Sequence, residues 1–318
     1  MTQSKWLAPA HDPSRIRRRL VRNCIRYLDL YLLLIPPLVV LIVFRYIPMY
    51  GVTLAFRDFK VSRGILGSPW AGMKYFLELF RTPKFFQVFT NTLLINIYRL
   101  VWQFPIPILI AIMIYDVRNV PFKRMVQTIS YMPHFFSWVI IAAMFFDILA
   151  PRTGIINKIL AALVGAEPRM WMGEPHYFRS IVVISNAWKE SGWGAIVYLA
   201  AMMAIDPQLY EAAVIDGAGK FRQMWHITLP GIAPTIVFII MIRLGAILGS
   251  DMEQIMLLST PATLPTGDVL SYYVYRMGIG RMQFSFATAA GLFTSVIGFL
   301  LLVSANYLSV KIGQRGLF

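Results

Sequence analysis

Two stretches lack any Asp, Glu, Lys or Arg: Met125–Phe146, with 22 residues, and Met282–Val310, with 29. About 20 apolar residues cross a bilayer as a helix, and lipid offers the backbone no partner, so helix is the expected state of both. Soluble domains carry about a quarter charged residues, whereas this chain of 318 residues carries 14%. Its mean hydropathy is +0.62. By length and hydropathy, six spans are expected, at 28–50, 89–115, 125–149, 180–204, 231–251 and 284–309. The fold class is therefore all-α, a polytopic membrane protein.

The formal net charge of +15 raises the question of nucleic acid. The basic residues flank apolar runs instead of forming one soluble patch, which argues against that partner and for a membrane. Seven of them precede the first span: Lys5, Arg15, Arg17, Arg18, Arg19, Arg22 and Arg26. That bias places the N-terminus in the cytoplasm. An even number of spans then returns the C-terminus, with Lys311 and Arg315, to the same side. The expected division is a basic arm at 1–27, a six-helix membrane domain at 28–310 and a tail at 311–318. The basic segment 51–88 goes against the charge rule, since it must lie outside. The first apolar stretch lacks a small-residue cleavage site, so no removed leader is expected. The single cysteine, Cys24, excludes an intrachain disulfide.

Between the fourth and fifth expected spans lies a polar island, 206–230. Asp206-Pro207 is a helix start, with an acceptor at the N-cap and proline at the first helical position. Gly217 suits a left-handed C-cap. A second short stretch follows, with Phe221, Met224 and Trp225 apolar, and Leu229-Pro230-Gly231 is expected to restart the chain as span five. Gly217-Ala-Gly219-Lys220 touches on a phosphate-binding loop. However, Val214 stands where that loop needs glycine and Phe221 where it needs Ser or Thr. No nucleotide site is expected in this chain.

Within the island, Glu211-Ala212-Ala213, Gly217, Ile227 and Leu229-Pro230 keep the spacing of the signature loop of ABC-importer permeases. Further stretches resemble the oligosaccharide and polysaccharide branch of that family. They are Tyr131–Trp138, Asp268–Ile279, Phe286–Phe293 and Gly313–Phe318. This branch is similar to the maltose permease subunits and includes permeases for alginate and aldouronate fragments. The resemblance covers the chain from about residue 28 onward.

It implies a type I ABC-importer permease fold in the bacterial cytoplasmic membrane. It also implies a second related permease, two ATP-binding subunits and a periplasmic or lipid-anchored solute-binding protein, with carbohydrate as cargo. ATP and Mg would belong to the ATP-binding subunits, and this chain would be a non-catalytic subunit. The family's loop docks in a cleft of the ATPase, which gives Glu211, Ala212, Ala213, Asp216, Gly217, Leu229 and Pro230 the coupling role.

Ionisable residues inside a bilayer usually face an interior or water. Span four holds Asn186, Trp188, Lys189, Glu190 and Trp193. Asn186 and Glu190 share one helix face, and Lys189 and Trp193 share another. Trp beside hydrogen-bonding groups suits a sugar, which has an apolar ring face and a rim of hydroxyls. The competing reading is that Lys189 and Glu190 only hold the bundle together. Arg99 and Arg243, the latter central in its expected span, would favour an acidic oligosaccharide if they line the path. Proline pairs at 36–37 and 105/107 are expected to bend their helices. Ala287, Gly291 and Ser295 form an expected packing seam.

Two other classes stay open on the residues alone. An ion-coupled secondary transporter would need paired carboxylates or broken-helix ion sites, and the spans offer few acids. A membrane enzyme would need a nucleophile–base or metal constellation, and none is apparent.

Overall fold

The structure, a computed structural model, describes residues 26–249, 252–311, 313 and 316. The basic arm up to residue 25, Asp251 and Arg315 lie outside them. The chain divides at Thr53/Leu54 into two compact units.

The first unit is one apolar helical stretch. It comprises α1 (Leu28–Leu41), a π turn at Ile42–Tyr46, a short helix at Ile47–Met49 and a 3₁₀ turn from Tyr50. The π turn falls just before Pro48. A proline ring clashes with the carbonyl four residues earlier, here Phe44, and a widened turn relieves the clash.

Among the described residues of the second unit the regular structure is helical, with one isolated bridge, Arg57 to Trp70. Its elements are α2 (Lys74–Arg81), α3 (Pro83–Gln103), α4 (Pro105–Asp116), α5 (Val120–Tyr131), α6 (Trp138–Ile148) and α7 (Ile155–Val164). They continue with α8 (Pro175–Met203), α9 (Pro207–Ile215), α10 (Leu229–Gly245), α11 (Met252–Leu258), α12 (Leu270–Tyr275) and α13 (Phe284–Lys311).

Among the described residues, four helical runs are long and apolar enough to cross a membrane: Leu28–Phe56, Pro83–Asp116, Lys220–Gly245 and Phe284–Lys311. The helix α8 has the length, at 29 residues, but Arg179, Lys189 and Glu190 lower its apolarity.

The expected span 125–149 is not one helix. The chain bends by 99° between Val120–Phe135 and Trp138–Ile148. Pro133 lies in a 3₁₀ turn, and Ser137 caps α6 by accepting from the Ile140 amide at 3.4 Å.

The expected span 231–251 is also corrected. Helical backbone runs unbroken from Lys220 to Gly245, so Leu229-Pro230 restarts nothing. A π turn at Met224–Thr228 precedes Pro230 and spares the His226 carbonyl the ring clash, as the π turn before Pro48 does for Phe44. Arg243 therefore sits in the last turn of its helix, not at its centre.

The helix α8 organises the core. One end packs Phe178, Ile181 and Val182 with Ile95, Ile255, Leu258 and Val269. The other packs Ala195, Tyr198, Leu199 and Met202 with Ile108, Ala111, Ile114 and Ile232. At Gly192 the backbone of Ser130 comes so near that a Cβ would lie 1.8 Å from its carbonyl oxygen. Of the expected seam on α13, Ala287 is buried against Gly278, but Gly291 faces open space and Ser295 is exposed, while a Cβ on Gly298 would lie 2.6 Å from the Gly245 oxygen. Close approach of α10 and α13 there needs both glycines.

Beyond the spans, Arg57 ties the 57–70 turn by donating to the carbonyls of Leu66 and Ser68. A short helix follows, α2, which buries Phe76 and Leu79. In 150–179, Asn157 is the hub. Its amide nitrogen donates to the carbonyls of Ala150, Pro151 and Arg169, and its oxygen accepts from Trp171 Nε1 at 2.8 Å.

Candidate functional site: an exposed helix–turn–helix and a polar pocket

The 206–230 segment folds much as its residues direct. Asp206 accepts from the Gln208 amide at 3.0 Å, and Pro207 opens α9. Gly217 has φ +72°, the left-handed region. The Ala218 amide donates to the Ala213 carbonyl at 2.8 Å and the Gly217 amide to the Val214 carbonyl at 3.0 Å. This pair of bonds is a Schellman closure, which leaves α9 with a fixed end.

None of the nine residues of α9 is buried, and Val214 and Ile215 are 63% and 85% exposed. Glu211, Ala212, Asp216 and Gly217 are exposed and Ala213 is half-buried, so the docking candidates lie together on one projecting element. Leu229 and Pro230 stand apart, in the continuous 220–245 helix.

Few contacts hold α9 to the rest of the unit. Tyr210 shares a hydrogen bond with Thr228 at 3.0 Å and lies against the Tyr115 ring. Beyond α9, Lys220 at the start of the 220–245 helix pairs with Asp116 at 2.7 Å. A groove of about 650 Å³ separates α9 from the end of α4.

The span-four candidates divide among three surroundings. Asn186 and Glu190 line a polar pocket of about 330 Å³ with Asn96, Arg99, Gln103, Trp138 and Arg243. Arg243 Nη1 donates to Gln103 Oε1 at 3.3 Å. Arg99 and Asn186 both reach Gln254 Oε1, and the Gln254 amide nitrogen donates to Val182 O and Ser185 Oγ. Trp188 points elsewhere, into a separate apolar groove with Tyr98, Trp102 and Ile184.

Lys189 and Trp193 serve the bend at 132–137. The Lys189 ammonium donates to the carbonyls of His134 at 2.5 Å and Phe136 at 2.7 Å, and it lies over the Trp138 ring. His134 is held on two sides. Its Nδ1 is 2.9 Å from Glu190 Oε2, and its ring stacks on Trp193 with centroids 4.6 Å apart. The bundle-holding reading thus describes Lys189, while Glu190 both binds His134 and faces the pocket.

Sequence reasoning missed Asn96, Gln103 and Gln254. The first two had a signal, since Asn96, Arg99 and Gln103 follow the i, i+3, i+7 spacing of one helix face. Gln254 lies on α11, a short helix outside the expected spans, and had none.

Long apolar helices around a polar pocket, with one exposed helix–turn–helix between them, fit an ABC-importer permease. The chain belongs to the family of binding-protein-dependent transport system inner membrane components, whose profile matches residues 103–314. It is 42% identical to Protein LplB of Bacillus subtilis (strain 168) over 289 residues, 91% of each chain. It is 40% identical, over an alignment of 322 positions that covers 100% of both chains, to YteP of the same organism, the polygalacturonan/rhamnogalacturonan transport system permease protein.

Two solved structures superpose on it. One is of a bacterial ABC transporter involved in the import of the acidic polysaccharide alginate. The TM-score is 0.84 at 40% identity, covering 92% of this chain and 99% of that one. The other is of a bacterial alginate ABC transporter in complex with an alginate pentasaccharide-bound periplasmic protein. Its TM-score is 0.85 at 39% identity, covering 94% and 100%.

Proposed function

We propose that this chain is one of two related permease subunits of an ABC importer that carries carbohydrate oligomers into the cytoplasm by alternating access. Two ATP-binding subunits drive it, and a solute-binding protein delivers the cargo. The single observation that carries the reading is α9: a rigidly closed helix bearing Glu211-Ala212-Ala213 that buries no side chain within its own chain. A helix with exposed Val214 and Ile215 and small residues beside one carboxylate is suited to a cleft on a separate protein.

In this reading both termini and α9 face the cytoplasm, and six helical segments cross the membrane within 28–310, α8 and the bent α5–α6 pair among them. The chain itself hydrolyses nothing; ATP and Mg belong to the partner.

The cargo is an acidic oligosaccharide. Arg99 and Arg243 bring two guanidinium groups to the polar pocket against one carboxylate, Glu190, and guanidinium pairs bidentately with carboxylate. Arg243 is exposed to the pocket and meets cargo directly, while Arg99 shapes the wall.

Co-purification of the cognate ATP-binding subunit tests the reading. The unaltered chain retains it and Glu211→Lys loses it. A chain that transports from an ion gradient, with no ATPase attached, would overturn the proposal.

A further inference from the structure

The 220–245 helix is joined near both of its ends to the 103–116 stretch. At one end Lys220 Nζ meets Asp116 Oδ1 at 2.7 Å. At the other, Arg243 Nη1 donates to Gln103 Oε1 at 3.3 Å, inside the polar pocket. Lys220 is the first residue of the 220–245 helix and Asp116 the last of α4. Between these clamps both segments pack on α8, where Ile108, Ala111, Ile114 and Ile232 share an apolar cluster with Ala195, Tyr198, Leu199 and Met202.

The docking loop enters this frame at its Lys220 end. Gly219, which precedes the helix, is exposed, and a Cβ there would meet no atom within 4 Å. The groove of about 650 Å³ beside α9 leaves that helix free of side-chain packing against α4 along most of its length. A displacement of α9 therefore reaches the α3–α4 segment through two contacts: Lys220 on Asp116, and Tyr210 against Tyr115.

We infer that Asp116 is a positioning residue: through Lys220 it carries the movement of the docking loop to the Gln103–Arg243 contact at the pocket. The inference rests on the proposed docking of α9. Both side chains of the pair are well exposed, 67% and 46%, so the pair adds little to stability. Its placement between loop and frame gives it another use. Packed side chains, ion pairs and helices between two sites can carry coupling energy from one to the other.

The test uses the full complex of two permeases, two ATP-binding subunits and the binding protein, reconstituted in lipid. Asp116→Asn, Lys220→Gln and the exchange Asp116→Lys with Lys220→Asp are compared with the unaltered chain. Two readouts are taken: retention of the ATP-binding subunits, and stimulation of ATP hydrolysis by the loaded binding protein. Asp116→Asn is expected to keep the ATPase bound and its basal rate unchanged, with stimulation falling about three- to fivefold, the scale of one exposed ion pair. The exchange is expected to restore it.

Full stimulation in Asp116→Asn, or no recovery in the exchange, would overturn the inference. Loss of the ATPase from the unaltered chain would instead overturn the docking reading beneath it.

Discussion

Lys189 and His134 are 55 residues apart in sequence, yet the Lys189 ammonium donates to the His134 carbonyl at 2.5 Å and to that of Phe136 at 2.7 Å. The 99° bend frees these carbonyls from helical bonding. Lipid offers them no donor, so a side chain from the neighbouring helix supplies it. A cation on α8 is what allows the 125–149 stretch to break.

Removing that donor should be costly to stability. Lys189→Met keeps most of the stem but leaves two carbonyls unpaired, and a loss of about 1–3 kcal/mol is expected. Thermal unfolding of the purified chain measures it. Lys189→Gln, which keeps one donor group, should lose less.

Two glycines should respond differently to alanine. At Gly192 the new Cβ would overlap the Ser130 carbonyl, so α8 and α5 must separate and the whole unit should lose stability. At Gly217 there is open space, and only the φ of +72° resists. Gly217→Ala should cost about 1 kcal/mol locally. It should weaken ATPase retention while leaving the melting temperature nearly unchanged, and Gly217→Asn should be milder.

The 51–82 segment should loosen at both pH extremes. Tyr75 donates to Asp58 Oδ1 at 2.6 Å. Burial first, and then the Asp58 carboxylate, push the Tyr75 hydroxyl up to about 12. The hydrogen bond from Tyr75 holds Asp58 below its ordinary value. A raised folded value for Tyr75 means its contribution is complete below about pH 10 and is lost as pH rises toward 12. A lowered folded value for Asp58 means its contribution is present above about pH 4 and is lost as pH falls through the folded value. Proteolytic nicking of 51–82 should therefore be slowest between these limits, and Tyr75→Phe should remove the alkaline step.

Arg243→Gln should discriminate between cargoes. It removes a cation from the pocket while Gln keeps an amide donor on the same side chain, so folding should be little affected. Uptake of uronate oligomers should fall about tenfold, the scale of one charge-assisted hydrogen bond, while uptake of a neutral oligomer changes little. Equal losses for both would remove the acidic cargo from the account.

The helix α9 was legible in full, because its signals are local: Asp206 and Pro207 begin it and Gly217 ends it. The breaks and continuities of the long helices were less so. Hydropathy registers 125–149 as one apolar run, since the group that permits the bend, Lys189, comes from another helix. Pro230 reads as a restart, but a π turn absorbs it, and Arg243 moves to a helix end as a result. Asn186 and Glu190 were rightly paired by their four-residue spacing. Trp188, two positions along, was bound to face away, because two residues turn a helix through about 200°.

The most direct test of the account is cross-linking from α9. In a Cys24→Ser background, single cysteines at Val214 and Ile215, which are 63% and 85% exposed, are probed in membranes holding the complete transporter. Both are expected to cross-link to the ATP-binding subunit, while a cysteine at Leu163 on α7, 77% exposed and on the opposite side of the membrane in the proposed topology, is not. A transport-competent complex in which α9 never reaches the ATPase, or in which Leu163 does, would contradict it.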